Sequence, residues 1–529
     1  MSCPAVHPET GERCALDGNH REHQIQFFDS TSGEIRWGKE WPNEDYVAKV
    51  VVSIPPASRT KTALRQLTKD IAAEAKRAEA ERRPAAQAAG PDVVRPVQYL
   101  GNKQRSLGPI LSAISGLIRP GDAAADLFSG TSVVSQALAA LDLSVTAVDV
   151  SPACAEMARA TLGVGRGNGL DSRELLTSWR EASAQGEDVL ISAFAGWIQR
   201  EREALAARDG KALIAVGREV PQVWRSAVGH PATDGVFEAW HEAARCRRAT
   251  TPLLSPVVAG SYLGIEQAIK VDARRQAITQ MAKAGQIDDW QASTMVTALL
   301  AATSAAAFSP GKHFAQPHRT DDSKDLGFHC GRIIVDRSVD IDAVAERWLE
   351  QLANQARWGR AHEVLQLPVD SVDTSKLVAR GIRLVYADPP YTAQQYSRFY
   401  HVLDTLADGR PSPLQLHRGS VTSGLYPDNR YLSPYCSKRQ APKAFSQLAG
   451  MCRAADATLV FSYSTSAAGS TGNQRMISLD ELCRVLVGVY GPAAVEVTEL
   501  DHGYRQFNHR DSARQSRDDP EVLVIAHAP

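Results

Sequence analysis

The chain has 529 residues, of which 43% are hydrophobic and 22% are charged, and its formal net charge is −1. A chain of this length and composition can bury a large core, so we expect a globular protein. The near-neutral charge leaves a nucleic-acid partner undecided, because local basic patches can bind phosphates. Eight cysteines are too sparse for a secreted disulfide framework. Apolar runs such as 297–308 fall short of the roughly 18 residues of a membrane span, and we expect a cytoplasmic protein without a membrane segment.

Residues 1–45 form a short segment that carries Cys3, Cys14, His20 and His23. Two thiolates and two imidazoles are a ligand set suited to tetrahedral zinc. The spacing is not that of the usual Cys-x-x-Cys pair, so a metal-free surface segment is the alternative. A zinc ion held here would be structural, because four protein ligands leave no open coordination position for chemistry.

Residues 46–93 are predicted to contain a strand at 46–54, a charged helix from 58 to about 83 and a linker rich in Pro, Ala and Gly. The charged helix is more typical of a solvated helix than of a DNA-binding arm. A new domain is predicted to begin near Val94.

Residues 94–162 have a strand, helix, strand, helix pattern, which predicts a parallel sheet in an α/β domain. The run 123–132 is a buried strand followed by a turn of small residues around Gly130, and a helix then begins at Val133. Such a turn lets backbone amides approach a ligand, and the start of the helix favours a negative group. The next strand ends in Asp149, where a carboxylate can accept the hydroxyls of a ribose. A nucleoside-bearing cofactor is predicted, with a simple packing turn as the alternative.

Residues 163–360 are mainly helical in pattern, and strand-like runs return within residues 361–529, at 363–367, 383–387, 457–462 and 521–526. The helical region is therefore predicted to be inserted into the α/β domain. It contains basic stretches at 200–208 and 245–248. These could contact phosphates or could be exposed charged helix faces.

The sharpest motif is Asp388-Pro389-Pro390-Tyr391, which follows an apolar strand. Asp388 and the carbonyl of Pro389 can accept hydrogen bonds from an aromatic amine and direct its lone pair. The prolines fix φ, so the acceptors are held in place before a base arrives. Tyr391 offers a face on which an extruded base can stack. An ordinary Asp-Pro-Pro turn at a strand end is the alternative.

At this point the sequence resembles the amino-group DNA methyltransferases, specifically the adenine-directed class with the tetrapeptide Asp-Pro-Pro-Tyr. Residues 98–103 resemble the family's N-terminal cofactor motif, and residues 126–132 resemble its glycine loop. The motif order is that of the group with its target-recognition region between loop and tetrapeptide. The resemblance implies a Rossmann-like fold with a mostly parallel seven-stranded sheet, S-adenosylmethionine as cofactor, and catalytic roles for Asp388, Pro389, Pro390 and Tyr391.

The resemblance also implies which residues contact the cofactor. By position these are Tyr99, Gly101, Lys103, Asp126, Phe128, Gly130, Asp149 and Asp370. Tyr99, Gly101 and Lys103 would touch the cofactor or the adjacent DNA, Phe128 and Gly130 would line the methionine pocket, and Asp149 would hold the ribose. A solvated or phosphate-facing lysine is the alternative for Lys103. Ser132 departs from the family pattern, because it replaces the second glycine of the loop.

The function implied is site-specific transfer of a methyl group to N6 of a flipped-out adenine in double-stranded DNA, in restriction–modification or phage defence, with a cognate nuclease or defence-system partner left open. Two alternatives remain. An RNA adenine methyltransferase would use the same tetrapeptide. A non-catalytic DNA-binding or cofactor-sensing relative is the other, although the intact tetrapeptide argues against it.

Overall fold

The computed structural model describes residues 93–528 apart from 167–170, 226–230, 251, 321–325, 356–357, 465–473 and 501–520, together with the backbone of four short strands nearer the N-terminus. The chain divides into two compact units, Met1–Gln87 and Ala88–Pro529. In the first unit, β1 (Glu22–His23) pairs with β4 (Trp41–Pro42), and β2 (Gln26–Phe28) pairs with β3 (Ile35–Trp37), both antiparallel. The strand predicted at 46–54 and the helix predicted at 58–83 lie outside the described residues.

The second unit is built on a seven-stranded sheet. Its strands are β5 (Ala123–Leu127), β6 (Ser144–Asp149), β7 (Glu363–Gln366), β8 (Ile382–Ala387), β11 (Thr458–Ser464), β12 (Val495–Glu499) and β13 (Glu521–Ala526). Their order across the sheet is β12-β13-β11-β8-β5-β6-β7, and β13 runs antiparallel to both of its neighbours while the other six strands share one direction. The prediction of an α/β protein with a mostly parallel seven-stranded sheet is confirmed at this level.

Helices cover both faces of the sheet, which is why its central strands are buried runs rather than alternating ones. The helices of the sheet domain are α1 (Leu107–Ile114), α2 (Val133–Ala140), α3 (Pro152–Leu162), α12 (Thr374–Ala379), α13 (Ser397–Asp408), α14 (Ala441–Ala454) and α15 (Leu479–Tyr490). On one face Ile110 and Leu138 share a core with Val145. On the other, Phe445 and Leu486 share a core with Val385. A small antiparallel hairpin, β9 (Leu416–His417) with β10 (Ser420–Val421), follows α13.

The described residues between α3 and β7 form a helical region, as the sequence pattern predicted. Its helices are α4 (Ser172–Ala206), α5 (Gly210–Glu219), α6 (Pro231–Cys246), α7 (Ser255–Val258), α8 (Ile265–Lys283), α9 (Asp289–Ala306), α10 (Leu326–Arg337) and α11 (Ile341–Ala353). All of them except α10 contribute to one hydrophobic core that also contains residues of α3 and α13. Ile333 of α10 belongs to a smaller cluster with Leu213 and Ile214 of α5. Among the described residues, no helix is both long enough and apolar enough to cross a membrane.

Two sets of hydrogen bonds fix the helical region to the helices that flank the sheet. The indole nitrogen of Trp290, on α9, donates to the carbonyl of Ala160 on α3 over 2.9 Å. The guanidinium of Arg275, on α8, donates to the carbonyls of Leu406 (2.7 Å) and Ala407 (2.8 Å) in the last turn of α13. These bonds satisfy carbonyls that the end of α13 leaves without an intrahelical partner. The helical region therefore contributes to the placement of α3 and α13.

Candidate active site

The sheet order creates a crevice at the carboxyl ends of its strands. From β5 the chain adds β6 and β7 on one side and then crosses over to β8 on the other side of β5. In open α/β sheets, ligands bind outside the carboxyl ends at such a reversal. A cavity of about 400 Å³ lies there, lined by loops that follow β5, β6 and β8 and by α13. Its volume falls within the range of small-molecule sites.

The cavity brings together most of the residues proposed for the site. Tyr99, Gly101, Lys103, Asp126, Phe128, Gly130, Asp149, Asp388 and Pro390 all line it. Pro389, Tyr391 and Asp370 are absent from its lining. Asp370 is exposed in a short 3-10 turn (Val369–Ser371) after β7, although its neighbour Val369 lines the cavity.

The loop between β5 and α2 is held in an uncommon backbone conformation. Phe128, Gly130 and Ser132 have φ values of 68°, 52° and 61°, and only the glycine adopts this region without a steric cost. The N–H groups of Phe128 and Ser129 donate to the carbonyl of Val148 over 2.9 and 3.0 Å, which ties the loop to β6. Strain of this kind persists where the surroundings impose it, and it clusters at functional sites.

Two hydroxyl groups in this loop are buried without a hydrogen-bond partner among the described residues, those of Ser129 and Ser132. An unsatisfied buried hydroxyl costs free energy unless a ligand or water bonds to it. Ser129 lines the cavity, so a polar ligand there would satisfy its hydroxyl, whereas Ser132 is fully buried and is not part of the lining.

Glycines at the cavity wall allow close approach of aromatic rings. A Cβ atom on Gly130 would lie 3.2 Å from the ring of Tyr99, and one on Gly101 would lie 3.0 Å from the hydroxyl of Tyr396. Gly101 also has a φ of 71°. The ring of Tyr99 stacks on Tyr400, with centroids 4.4 Å apart, and the Tyr400 hydroxyl accepts a hydrogen bond from the N–H of Leu100 over 2.7 Å.

Asp149 sits at the end of β6 with both carboxylate oxygens engaged by the backbone. Oδ2 accepts from the N–H of Gly130 and Oδ1 from the N–H of Ser151, each over 2.9 Å. Burial raises the pKa of Asp149, and these hydrogen bonds oppose the rise. Each oxygen retains a further lone pair, so the carboxylate can still accept hydroxyl groups of a ligand.

One face of α13 forms a part of the cavity that the sequence analysis missed. Tyr396, Tyr400, Asp404 and Asp408 all line the cavity at a spacing of four residues, which places them along one side of a helix. Oδ1 of Asp404 accepts a hydrogen bond from the hydroxyl of Ser151, and burial raises the pKa of Asp404 to about 7. The spacing of four was visible in the sequence, but nothing in the sequence showed which face of the helix met the cavity.

Asp388, immediately after β8, forms an ion pair with Lys103, whose Nζ lies 3.0 Å from Oδ2. The same ammonium lies 2.7 Å from Oε1 of Glu521, a residue that the sequence analysis did not single out. Burial alone would lower the pKa of Lys103, but Asp388 and Glu521 raise it well above its usual value. Burial raises the pKa of Asp388 to about 6, with Lys103 opposing the rise and Glu521 adding to it.

The ring of Tyr391 is fixed by contacts beside the cavity. The guanidinium carbon of Arg475 lies 4.8 Å from the ring centroid, and the ring of Tyr463 lies 5.3 Å away. The Tyr391 carbonyl accepts a hydrogen bond from the N–H of Met476 over 2.9 Å. The cation–π contact favours an electron-rich ring in a defined orientation.

The inner wall of the cavity is acidic. Asp126, Asp149 and Asp404 all line it, and none of the three forms an ion pair with a lysine or arginine among the described residues. Asp126 accepts a hydrogen bond from the hydroxyl of Ser135 over 2.5 Å, yet burial raises its pKa to about 7. A wall of this kind favours a ligand that carries positive charge.

The basic stretches divide into two groups. Within the described residues, Arg200, Arg202 and Arg248 form ion pairs with Glu219, Glu266 and Glu242, as exposed helix faces commonly do. Arg247, Arg410 and Arg430 line the cavity, where Arg247 and Arg410 both form ion pairs with Asp408. The basic part of the lining thus comes from both the helical region and the segment after α13.

The proposed zinc ligands cannot be placed. Cys3, Cys14 and His20 lie outside the described residues, and of His23 only the backbone in β1 is described. Within the described part of the chain, no group of three or more His, Cys, Asp and Glu side chains is arranged to hold a metal ion. Zinc at the N-terminal segment stays a prediction.

Comparison with known proteins finds no matching family model, no matching curated protein and no matching solved structure.

Proposed function

We propose that the chain is an S-adenosylmethionine-dependent methyltransferase that modifies N6 of adenine in double-stranded DNA. One observation carries the proposal: Asp149 and Asp388, from strands on the two sides of β5, line the same cavity. The strained loop 128–132 lies between them. A ribose-binding carboxylate and an amine-binding carboxylate therefore face one space.

The sheet supports the methyltransferase fold that the sequence resemblance implies. Taken from β7 to β11, the strand order is that of a doubly wound α/β sheet, with the cavity at its topological switch point. The helical region enters between β6 and β7, ahead of the catalytic motif after β8. This position agrees with a target-recognition region placed between the cofactor loop and the tetrapeptide.

The cavity residues fit the cofactor. Asp149 would hold the ribose, Phe128 and Gly130 would flank the methionine portion, and the hydroxyl of Ser129 would gain a hydrogen-bond partner. The acidic wall formed by Asp126, Asp149 and Asp404 suits a cofactor with a sulfonium and an ammonium group. Bound S-adenosylmethionine would supply an electrophilic methyl group.

The catalytic motif would act on the amine. With Oδ2 of Asp388 bound to Lys103, Oδ1 is the oxygen that can accept a hydrogen bond from the amine. The carbonyl of Pro389 would accept a second one, and the two acceptors would direct the nitrogen lone pair. Prolines on either side of this carbonyl restrict φ and hold the acceptors in place. The proton that the amine loses afterwards would leave to solvent.

Double-stranded DNA is proposed as the substrate because the cavity has a basic portion of its lining. Arg247, Arg410 and Arg430 come from two separate parts of the chain and carry guanidinium groups suited to phosphates. A flipped adenine presents the same amine in RNA, so RNA is tested as the alternative substrate. A cognate nuclease or defence-system partner remains open.

The experiment is methylation of defined substrates by the full chain. The protein is incubated with S-adenosylmethionine and duplex DNA or RNA, and the nucleosides are analysed by mass spectrometry. N6-methyladenine in DNA is the expected product, and methylated cytosine or a product in RNA alone would refute the substrate assignment. Calorimetry is run in parallel, and no cofactor binding with or without DNA would refute the methyltransferase assignment.

A further inference from the structure

Glu521 reaches the active edge of the sheet because of the direction of its strand. It is the first residue of β13, and β13 runs antiparallel to β11. When two neighbouring strands run antiparallel, the first residue of one lies at the same edge of the sheet as the last residue of the other. Glu521 pairs in register with Ser464, the last residue of β11, and β11 neighbours β8, which Asp388 follows. The carboxylate of Glu521 therefore lies at the edge of the sheet where β11 and β8 end, although its own strand begins there.

Glu521 is held firmly in this position. Its side chain is 3% exposed, and that of Lys103 is 6% exposed. Oε1 of Glu521 accepts from the hydroxyl of Ser462 over 2.6 Å as well as from Lys103, and Oε2 accepts from the hydroxyl of Ser106 over 3.3 Å. A buried carboxylate with several donors has a fixed orientation. The Lys103 ammonium is therefore anchored on its far side from Asp388.

The chain from Glu521 through Lys103 ends on one oxygen of Asp388. Asp388 and Lys103 both line the cavity, and the Asp388 side chain, at 19% exposed, is the more accessible of the two. Without Glu521, Asp388 would be the one carboxylate paired with the Lys103 ammonium among the described residues. With Glu521 present, the Lys103 ammonium bridges two carboxylates, and this bridge holds the Asp388 carboxylate in one orientation.

We propose that Glu521 is a positioning residue, which acts through Lys103 to fix the Asp388 carboxylate with one oxygen turned to the substrate amine. The proposal rests on the proposed methyltransferase function, since it concerns how Asp388 meets the amine. Lys103 is then part of the catalytic edge rather than chiefly a cofactor contact.

Variants of Glu521 and of Lys103 are predicted to shift the pKa of Asp388 in opposite directions. Asp388 must be ionised to accept from the amine, so activity falls as pH drops through the pKa of its carboxyl, which lies at about 6. Removal of the negative charge of Glu521 lowers this pKa, and removal of the positive charge of Lys103 raises it. Other groups that interact electrostatically with Asp388 are Asp126 from β5, Tyr386 from β8, and Tyr396. Tyr391 lies in the same motif and interacts with Lys103.

The test compares pH–rate profiles of Glu521→Gln, Lys103→Met and the native protein. We expect the acid limb to move down by about one pH unit in Glu521→Gln and up by about one unit in Lys103→Met. Lys103→Arg retains the charge and should leave the limb near its native position. Glu499→Gln is the matched control, because it removes an exposed carboxylate from the adjacent strand β12 and should move nothing.

A second measurement follows the ionisation of Asp388 and does not require methyl transfer. The chain is labelled with carboxyl-¹³C aspartate, the Asp388 signal is assigned by its loss in Asp388→Asn, and it is titrated in each variant. The assignment separates this carboxyl from Asp126. Opposite shifts of the titration midpoint support the positioning role even if the native protein transfers no methyl group, an outcome that would refute only the proposed function.

Two results would overturn the inference. One is a native-like Asp388 titration in both Glu521→Gln and Lys103→Met. The other is a loss of activity at every pH in both variants with an unchanged acid limb, which would assign the cluster a purely structural role. Circular dichroism at each pH confirms that the compared proteins are folded. If Glu521→Gln does not fold, Glu521→Asp takes its place, because the shorter side chain withdraws the carboxylate from Lys103 and should likewise move the acid limb down.

Discussion

The carboxylate of Asp149 accepts a hydrogen bond from the N–H of Gly130, over 2.9 Å, across the turn between β5 and α2. The end of one strand thereby holds the loop that follows its neighbour. Both residues line the cavity, so the shape of the loop and the proposed ribose contact depend on one side chain.

Asp149→Ala is expected to weaken binding of S-adenosylmethionine by about ten- to a hundredfold, because hydrogen bonds to a charged group contribute about 1.5–3 kcal/mol. Isothermal calorimetry of the full chain measures the effect. Asp370→Ala removes an exposed carboxylate beside the cavity and should change the affinity less. Equal losses in the two variants would show that the assignment of the ribose to Asp149 is wrong.

Asp388→Ala is expected to abolish methyl transfer, a loss of at least about a hundredfold, while folding and cofactor binding persist. The protein should fold because Lys103 keeps its contact with Glu521, so no buried ammonium is left unpaired. Mass spectrometry of nucleosides from treated DNA reports the activity, and calorimetry reports cofactor binding. Methylation at the native rate would rule out Asp388 as the catalytic residue.

Ser132→Gly is expected to raise the free energy of unfolding by about 1 kcal/mol, because glycine relieves the left-handed backbone conformation. The change also removes a buried hydroxyl without a partner among the described residues. Urea denaturation measures the effect. Ser129→Gly is the matched control, because its hydroxyl is equally unsatisfied but its φ is not positive. A gain of the same size in Ser129→Gly would exclude backbone strain as the cause.

Asp126→Asn is expected to reduce the dependence of stability on pH. Burial raises the pKa of Asp126 from 3.8 to about 7, so the folded state binds its proton more tightly than the unfolded state. The stability from this group is fully present below about pH 4 and is lost as pH rises through about 7. The native protein should lose more stability than the variant between pH 4 and 8 in thermal denaturation. Parallel curves for the two proteins would contradict the prediction.

The full chain is expected to contain about one zinc ion, held by Cys3, Cys14, His20 and His23 and lost in Cys14→Ser. Elemental analysis of the purified protein measures it. Cys246→Ser is the control, since Cys246 is an exposed thiol on α6, and it should retain the metal. A stably folded native chain without zinc would remove this hypothesis.

Much of the sheet could be predicted because buried parallel strands are apolar runs. The runs predicted at 363–367, 383–387, 457–462 and 521–526 correspond to β7, β8, β11 and β13. β12 was missed because it lies at the edge of the sheet, is largely exposed and, with the sequence Val-Glu-Val-Thr-Glu, contains no apolar run. The boundaries of exposed strands depend on pairing rather than on hydrophobicity.

The site could be predicted where its residues follow strands or match the motifs of the resembled family, as Tyr99, Gly101 and Lys103 do. Asp149 and Asp388 could be predicted because strand ends meet at one edge of a parallel sheet. The contact of Lys103 with Glu521 could not, because it depends on the antiparallel direction of β13 and joins residues far apart in sequence. The acidic face of α13 likewise required knowledge of which side of the helix meets the cavity.

The hydrogen bond from Ser151 to Asp404 joins the loop after β6 to α13, and Arg275 joins α13 to the helical region. A ligand that moves either the loop at Ser151 or the helical region therefore changes the free energy of ligand binding at the other. If the cofactor tightens the binding of DNA by some factor, then DNA must tighten the binding of the cofactor by the same factor. The affinities for cofactor and DNA, measured in either order of addition, must therefore close one thermodynamic cycle. The Ser151→Ala variant should reduce the coupling free energy between the two ligands in that cycle.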